Sequence, residues 1–204
     1  MMEHKNAFNF LIRKTSELGY HNLAEHIKNV GPLKIITSNM LFIKHLCKII
    51  VGQQLSVASA AAIWNRTEKI LDKNNYKKPS IVLDKKFRKA GLSRQKINYL
   101  NGIIFDQKLL NLSKKDLLKI SKLEYEELLI IIKGIGPWSI DMSRLFYIGD
   151  PDVFSIPDLG LKNAHTKIFG EEDYNEDFYK VFSPFRSYMS LFMWRVLEDE
   201  NLSI

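Results

Sequence analysis

Two short segments hold residues able to do chemistry. The first is Lys133-Gly134-Ile135-Gly136-Pro137-Trp138-Ser139, which follows the apolar run Leu128 to Ile132. A helix ending at Lys133, two glycines around one apolar residue, and a proline opening the next helix define a tight hairpin. Proline at a helix start loses no hydrogen bond, because that N–H has no partner there. The glycines turn the chain sharply and leave its N–H groups uncovered by side chains. Together with the positive end of the following helix, those N–H groups form a site for a phosphate. Ile135 points back to tie the two helices together. An ordinary helix pair with glycine caps is the alternative for these glycines alone.

The second segment is Asp150-Pro151-Asp152-Val153-Phe154-Ser155-Ile156-Pro157-Asp158-Leu159-Gly160-Leu161-Lys162. Asp158 follows a proline and opens a helical pattern, so it reads first as an N-cap. A helix N-terminus favours the charged form of a carboxylate. Such a group can stabilise a sugar that gains oxocarbenium character as its glycosidic bond breaks, and can orient or deprotonate the attacking water. Asp150 and Asp152 compete for the role, but their polar turn reads as solvated loop.

The elements around these segments read as helices. Alternating β-branched runs and two-residue hairpin turns are nearly absent, and apolar residues recur at helical spacing. Expected helices cover Ala7 to Leu18, ending at Gly19, and Leu23 to Ile27, ending at Gly31-Pro32. A third is capped by Ser38 and carries a buried stripe of Leu41, Phe42, His45, Leu46, Ile49 and Ile50. Further helices run from Ser56 to Leu71, through Ser80 to Ala90, from Ser93 to Leu109 and from Ser113 to Ile120. Leu123–Lys133 and Trp138–Ile148 flank the hairpin, and Asp158–Phe169 and Pro184–Leu197 complete the set. Asp72 to Pro79 reads as a polar, lysine-rich connector.

Length and composition narrow the function classes. The chain has 204 residues, 46% hydrophobic and 26% charged, the values of a globular protein. No apolar run approaches the ~20 residues of a membrane span. The first residues lack the pattern of a secretion signal, so a cytoplasmic, nucleoid-associated or nuclear setting is expected. The one cysteine, Cys47, excludes an internal disulfide or an iron–sulfur cluster built by this chain. Cys47 and the five histidines show no ligand spacing and read as structural. The net charge is +7. Residues 69 to 96 hold ten cations (Lys69, Lys73, Lys77, Lys78, Lys85, Lys86, Arg88, Lys89, Arg94 and Lys96) against Asp72 and Asp84. That local excess suits a polyanion; a solvated surface is the alternative.

Four stretches in order resemble the helix–hairpin–helix DNA glycosylase superfamily, with the 3-methyladenine DNA glycosylase II family the nearest branch. They are Ile49-Ile50-Val51-Gly52-Gln53-Gln54-Leu55-Ser56, Lys133 to Trp138, Asp152 to Gly160, and Pro184-Phe185-Arg186-Ser187-Tyr188. The match runs from about Leu23 to Trp194. The resemblance implies an all-α, two-lobed fold with the active-site cleft between lobes. It implies one catalytic module over 1–204: lobe A of about 1–55 plus 150–204, and lobe B of about 56–149 with the hairpin at about 123–148. It also implies a compact form without the additional N-terminal domain of larger members.

Carried onto these residues, the resemblance makes Asp158 the essential aspartate and Gly134 to Gly136, with Lys133 and Ile135, the grip on DNA backbone. Leu55 falls near the side chain that fills the gap left by a flipped base, or is a core leucine. Gln53 contacts the orphaned base or caps the helix before Gly52. Trp138 and Trp194 fall at base-pocket positions, where an aromatic face attracts a cationic alkylated purine; Met142, one turn after Trp138, joins them. Each of the three can equally be core.

The function implied is a monofunctional glycosylase that flips and hydrolyses alkylated purines of the 3-methyladenine and 7-methylguanine type out of duplex DNA in base excision repair. DNA docks on the hairpin and the basic patch. Trp138 stands where bifunctional relatives carry a lysine nucleophile, so no Schiff base forms. No cofactor, no metal for the chemistry, no membrane and no obligate protein partner are expected. The alternatives are a superfamily enzyme for another lesion and a non-catalytic DNA-binding protein, and a functional Asp158 separates the latter.

Overall fold

The computed structural model describes residues 3–73, 80–170 and 172–198, and every regular element among them is helical. The chain divides into two compact units: residues 1–37 with 144–204, and residues 38–143. The division expected near residue 55 therefore falls at Thr37, so the third helix belongs with the hairpin-bearing segment.

In the first unit, α1 (Glu3–Glu17) and α2 (His21–Val30) lead in. Ala7 and Leu11 of α1 and Leu23 and Ile27 of α2 are fully buried. That i, i+4 spacing lays each pair on one helical face.

The second unit is organised by α3 (Phe42–Gly52), whose Phe42, Ile43, Leu46, Cys47, Ile49, Ile50 and Val51 are all buried. A helix apolar on nearly every side must be covered all round. Three longer helices follow, α4 (Val57–Lys73), α5 (Ile81–Ala90) and α6 (Arg94–Ile104), then the short α7 (Gln107–Leu110) and α8 (Lys114–Leu117). The hairpin pair is α9 (Lys122–Ile130) and α10 (Pro137–Ser143). α3 packs against α4, α6, α7 and α10, which accounts for its burial.

α10 runs directly into a π-helical turn, Arg144–Ile148, in which the chain passes back to the first unit. There α11 (Leu159–Phe169), α12 (Glu176–Tyr179), a 3-10 turn over Lys180–Phe182 and α13 (Arg186–Glu198) complete the core begun by α1 and α2. That core joins Leu11, Leu161, Phe169, Tyr179, Phe182, Met189 and Phe192, among others.

Several boundaries differ from the sequence reading. Ser38 does not cap α3, because its hydroxyl accepts the Met40 N–H in a local turn and the helix starts at Phe42. The span Ser93–Leu109 is two helices, because Asp106 accepts the N–H groups of Lys108 and Leu109 and caps a new one. α9 stops at Ile130 rather than Lys133. Helix Trp138–Ile148 changes to π geometry at Arg144. The turns over 176–182 went unanticipated, their apolar residues being too few to show a period. Asp72 and Lys73 complete α4, and the rest of the connector, with Lys77 and Lys78, lies outside the described residues. Among the described residues no helix is long and apolar enough to cross a membrane.

Cys47 is wholly buried, and burial pushes its thiol far above the ordinary range. The folded protein is expected to resist a thiol-labelling reagent, with full labelling only in denaturant; rapid labelling of the native protein would contradict this packing.

Candidate active site and DNA-binding hairpin

The hairpin is held open by specific packing. α9 starts with a reciprocal cap in which Ser121 accepts the Glu124 N–H and Glu124 accepts the Ser121 N–H. Beyond Ile130 the chain turns, the Ile135 N–H reaches the Ile132 carbonyl at 3.0 Å, and Ile135 is buried. Lys133 is exposed.

The two glycines have different reasons to be there. Gly134 has φ +92°, and a Cβ on it would lie 2.4 Å from the Tyr99 ring. Both backbone and space therefore require glycine. Gly136 has nothing within 4 Å of a Cβ position. No neighbour excludes a side chain there, so the backbone at Gly136 lies open.

A second turn is bound to this hairpin. Gln53, just past α3, donates from Nε2 to the Gly134 carbonyl at 2.8 Å and to Ser139 Oγ at 3.0 Å. Its side-chain amide thus braces the hairpin, while its backbone N–H closes the end of α3 on the Ile49 carbonyl at 3.2 Å. Lys96 of α6 donates to the carbonyls of Val51 and Gln53 at 2.8 and 2.7 Å, and burial lowers its pKa. Between these clamps Gln54 adopts φ +56°, an unusual conformation for a residue with a side chain. Gln54 is exposed and Leu55 is 39% exposed, so Leu55 is not a core leucine. Sequence reasoning places Lys96 only in the basic patch and misses its clamping role, Tyr99 and the strain at Gln54; only the glycine at 134 hints that something approaches closely.

Asp158 lies in the other unit as the N-cap of α11 and is 9% exposed. Its Oδ1 accepts the Leu161 N–H at 2.8 Å and the Trp194 indole N–H at 3.1 Å. A Cβ on Gly160 would lie 3.0 Å from Asp158 Oδ1 and 3.1 Å from Trp194 Nε1, so glycine keeps that bond clear. Trp194 is half-buried and stacks on Phe146 of the π turn, 6.0 Å between centroids and 24° between planes. Burial, and then the charge of Asp158, push the Tyr174 hydroxyl well above its ordinary pKa and keep it neutral. Trp194 and Asp158 are thus brought together. Trp138 is half-buried and Met142 buried, one turn apart on α10.

Asp150 and Asp152 are not solvated loop residues. Asp150 pairs with the buried Arg144 at 2.5 Å and accepts the Asp152 N–H at 2.8 Å. Asp152 takes Arg186 Nε at 2.7 Å, a second Arg186 nitrogen at 3.0 Å and the Ser183 hydroxyl at 2.8 Å. Ser187 accepts the Val153 N–H and donates to the Asp150 carbonyl. The turn reads as solvated because most of its partners, Ser183, Arg186 and Ser187, lie more than 30 residues downstream, although Arg144 lies only six residues before Asp150. It forms a fixed strut leading to Asp158. Burial works to raise the Asp152 pKa, but the bonds from Arg186 and Ser183 bring it below the ordinary range.

No family model matches the chain. The DNA-3-methyladenine glycosylase 1 of Schizosaccharomyces pombe is 27% identical over 162 residues, 74% of this chain and 71% of the relative. The crystal structure of a DNA-3-methyladenine glycosidase from Bacillus halodurans matches with TM-score 0.68 and 28% identity, over 91% of this chain and 88% of that one. The S. pombe 3-methyladenine DNA glycosylase in complex with abasic DNA shares the fold, with TM-score 0.73 and 24% identity over 90% and 94%. Over most of its length the chain is thus similar to DNA-3-methyladenine glycosylases, and its all-helical fold is the one those structures share.

Gly134→Ala is expected to lower the thermal midpoint sharply, because methyl and ring cannot share the space. Gly136→Ala should keep the midpoint and weaken binding to duplex DNA of any sequence. Equal melting losses in both, or full duplex affinity for Gly136→Ala, would contradict the division of labour. Asp152, with its pKa depressed on folding, stabilises above its unfolded value of roughly 3.9 and loses that contribution as pH falls through the folded value. Asp152→Asn should therefore be less stable than wild type at neutral pH, the gap closing as pH drops below about 4 in denaturant titrations.

Proposed function

We propose that the protein is a monofunctional DNA glycosylase of the 3-methyladenine DNA glycosylase II type, hydrolysing alkylated purines such as 3-methyladenine and 7-methylguanine from duplex DNA in base excision repair. The single observation that carries this reading is Asp158, a buried carboxylate fixed through one oxygen by the Leu161 N–H and the Trp194 indole. A carboxylate so oriented stabilises positive charge growing on the deoxyribose.

The steps follow from these residues. The backbone N–H groups at Gly134 to Gly136, with Lys133, bind phosphate. The exposed turn at Gln54-Leu55, braced by Gln53, supplies the side chain that occupies the space of the displaced base. Trp194, bonded to Asp158, offers the base an aromatic face, which favours a cationic one. As the C1′–N bond breaks, its electron pair goes to the alkylated purine, which leaves neutral and needs no acid. Water forms the new C1′–O bond and gives its proton to Asp158. Trp138 replaces the amine that a strand-cutting step requires. The expected setting is the cytoplasm, associated with the nucleoid, or the nucleus.

Asp158→Asn preserves size and N-cap ability, so fold and duplex affinity should persist while base release from methylated duplex DNA falls by about 100-fold or more. Wild type should release 3-methyladenine or 7-methylguanine without nicking the strand. Full activity of the variant would remove Asp158 from the mechanism. Absence of release by wild type despite tight binding would point to another lesion or to binding alone.

A further inference from the structure

We propose that the outward face of α5 and the start of α6 form a second phosphate-binding surface, separate from the hairpin, that holds the backbone of duplex DNA flanking the lesion. The inference rests on the reading that the protein acts on duplex DNA.

The excess charge of residues 69–96 is carried unevenly once the folded partners are considered. Its two carboxylates are both engaged: Asp72 pairs with Lys44, and Asp84 accepts Asn101 Nδ2 at 2.8 Å. Lys96 is spent on the turn after α3, and Arg88 donates to the Leu92 carbonyl at 3.1 Å. Lys85, Lys89 and Arg94 are exposed, and among the described residues no carboxylate lies within ion-pair distance of them. Some exposed cations elsewhere are neutralised in place, as in Arg13–Glu17, Lys28–Glu25 and Lys180–Asp177.

Position turns this charge into a surface. Leu83, Phe87 and Ala90 bury one side of α5. Lys85 and Lys89, four residues apart, share the opposite side. Arg94 opens α6 beyond the short turn that follows. α5 packs on α6, and α6 carries Lys96 and Tyr99, the residues that clamp the Gln53 turn and fill the space over Gly134. The unneutralised cations therefore stand one helix away from the hairpin, within a single compact unit. A duplex gripped at the hairpin presents a continuous row of phosphates, which such cations bind by releasing counterions.

The test is the salt dependence of binding to an undamaged duplex, read by fluorescence anisotropy. Replacing Lys85, Lys89 and Arg94 together by Gln should flatten the slope of log K against log salt by about 2.7, three contacts at ~0.9 each. The affinity lost between 50 and 200 mM salt should then be about 40-fold smaller. A control triple, Arg13→Gln, Lys28→Gln and Lys180→Gln, removes the same charge from ion-paired sites and should leave the slope unchanged. Base release at saturating substrate should survive in both. An unchanged slope in the first triple, or equal changes in both triples, overturns the surface while base release by wild type keeps the glycosylase reading intact. Failure of wild type to bind duplex DNA at any salt overturns both.

Discussion

One carboxylate oxygen organises half of this molecule. Asp158 Oδ1 closes the first turn of α11 by accepting the Leu161 N–H, and it also holds the Trp194 indole that α13 carries. A carboxylate with a single backbone bond could still swing about χ1. A second donor on a helix packed against the first removes that freedom. The surroundings follow from this constraint. Gly160 keeps its neighbourhood free of a side chain, Phe146 stacks on the indole, and the Asp152–Arg186 pair fixes the chain that leads in. Partly buried ion pairs contribute modestly to stability. This one, with the Ser183 hydroxyl, fixes the turn that leads to Asp158.

The hairpin unit solves a different problem. The proposed phosphate binding asks it to expose backbone groups without letting them move, and exposed turns are ordinarily mobile. Rigidity comes from behind: Tyr99 sits where a side chain at 134 would be, Gln53 bonds the Gly134 carbonyl, and Lys96 bonds the carbonyl of Gln53 itself. The hairpin and the Gln54-Leu55 turn are therefore one braced piece. Strain at Gln54 is sustained beside Gln53, which is held through both its side chain and its carbonyl.

The sequence made the hairpin, the Asp158 cap and the all-helical architecture legible because each is written in adjacent residues: Gly-Ile-Gly-Pro, Pro-Asp, and apolar spacing near 3.6. What it hid is long-range. Gln53 meets Gly134 across 81 positions, Lys96 meets Gln53 across 43, and Trp194 meets Asp158 across 36. Periodicity places a residue on a helix face but does not say which other helix that face meets. The same limit explains why Asp150 and Asp152 read as solvent-facing. The boundary at Thr37 was missed for a related reason: α3 is apolar all round, and nothing in its own pattern assigns it to either unit.

Several of the elements proposed to act here are helix ends. The hairpin joins two of them, the Gln53 turn closes α3, and Asp158 opens α11. An all-helical chain satisfies its backbone internally along each helix, so unpaired N–H and C=O groups occur only at termini. Those groups are also where the macrodipole concentrates charge. Polar chemistry in such a fold therefore has few places to reside, and each requires a side chain to hold the frayed end in shape. Gln53, Lys96, Trp194 and Arg186 do that work at successive termini. Replacing them would disturb local geometry before it disturbed the apolar core, which separates the residues that make this protein fold from those that make it act.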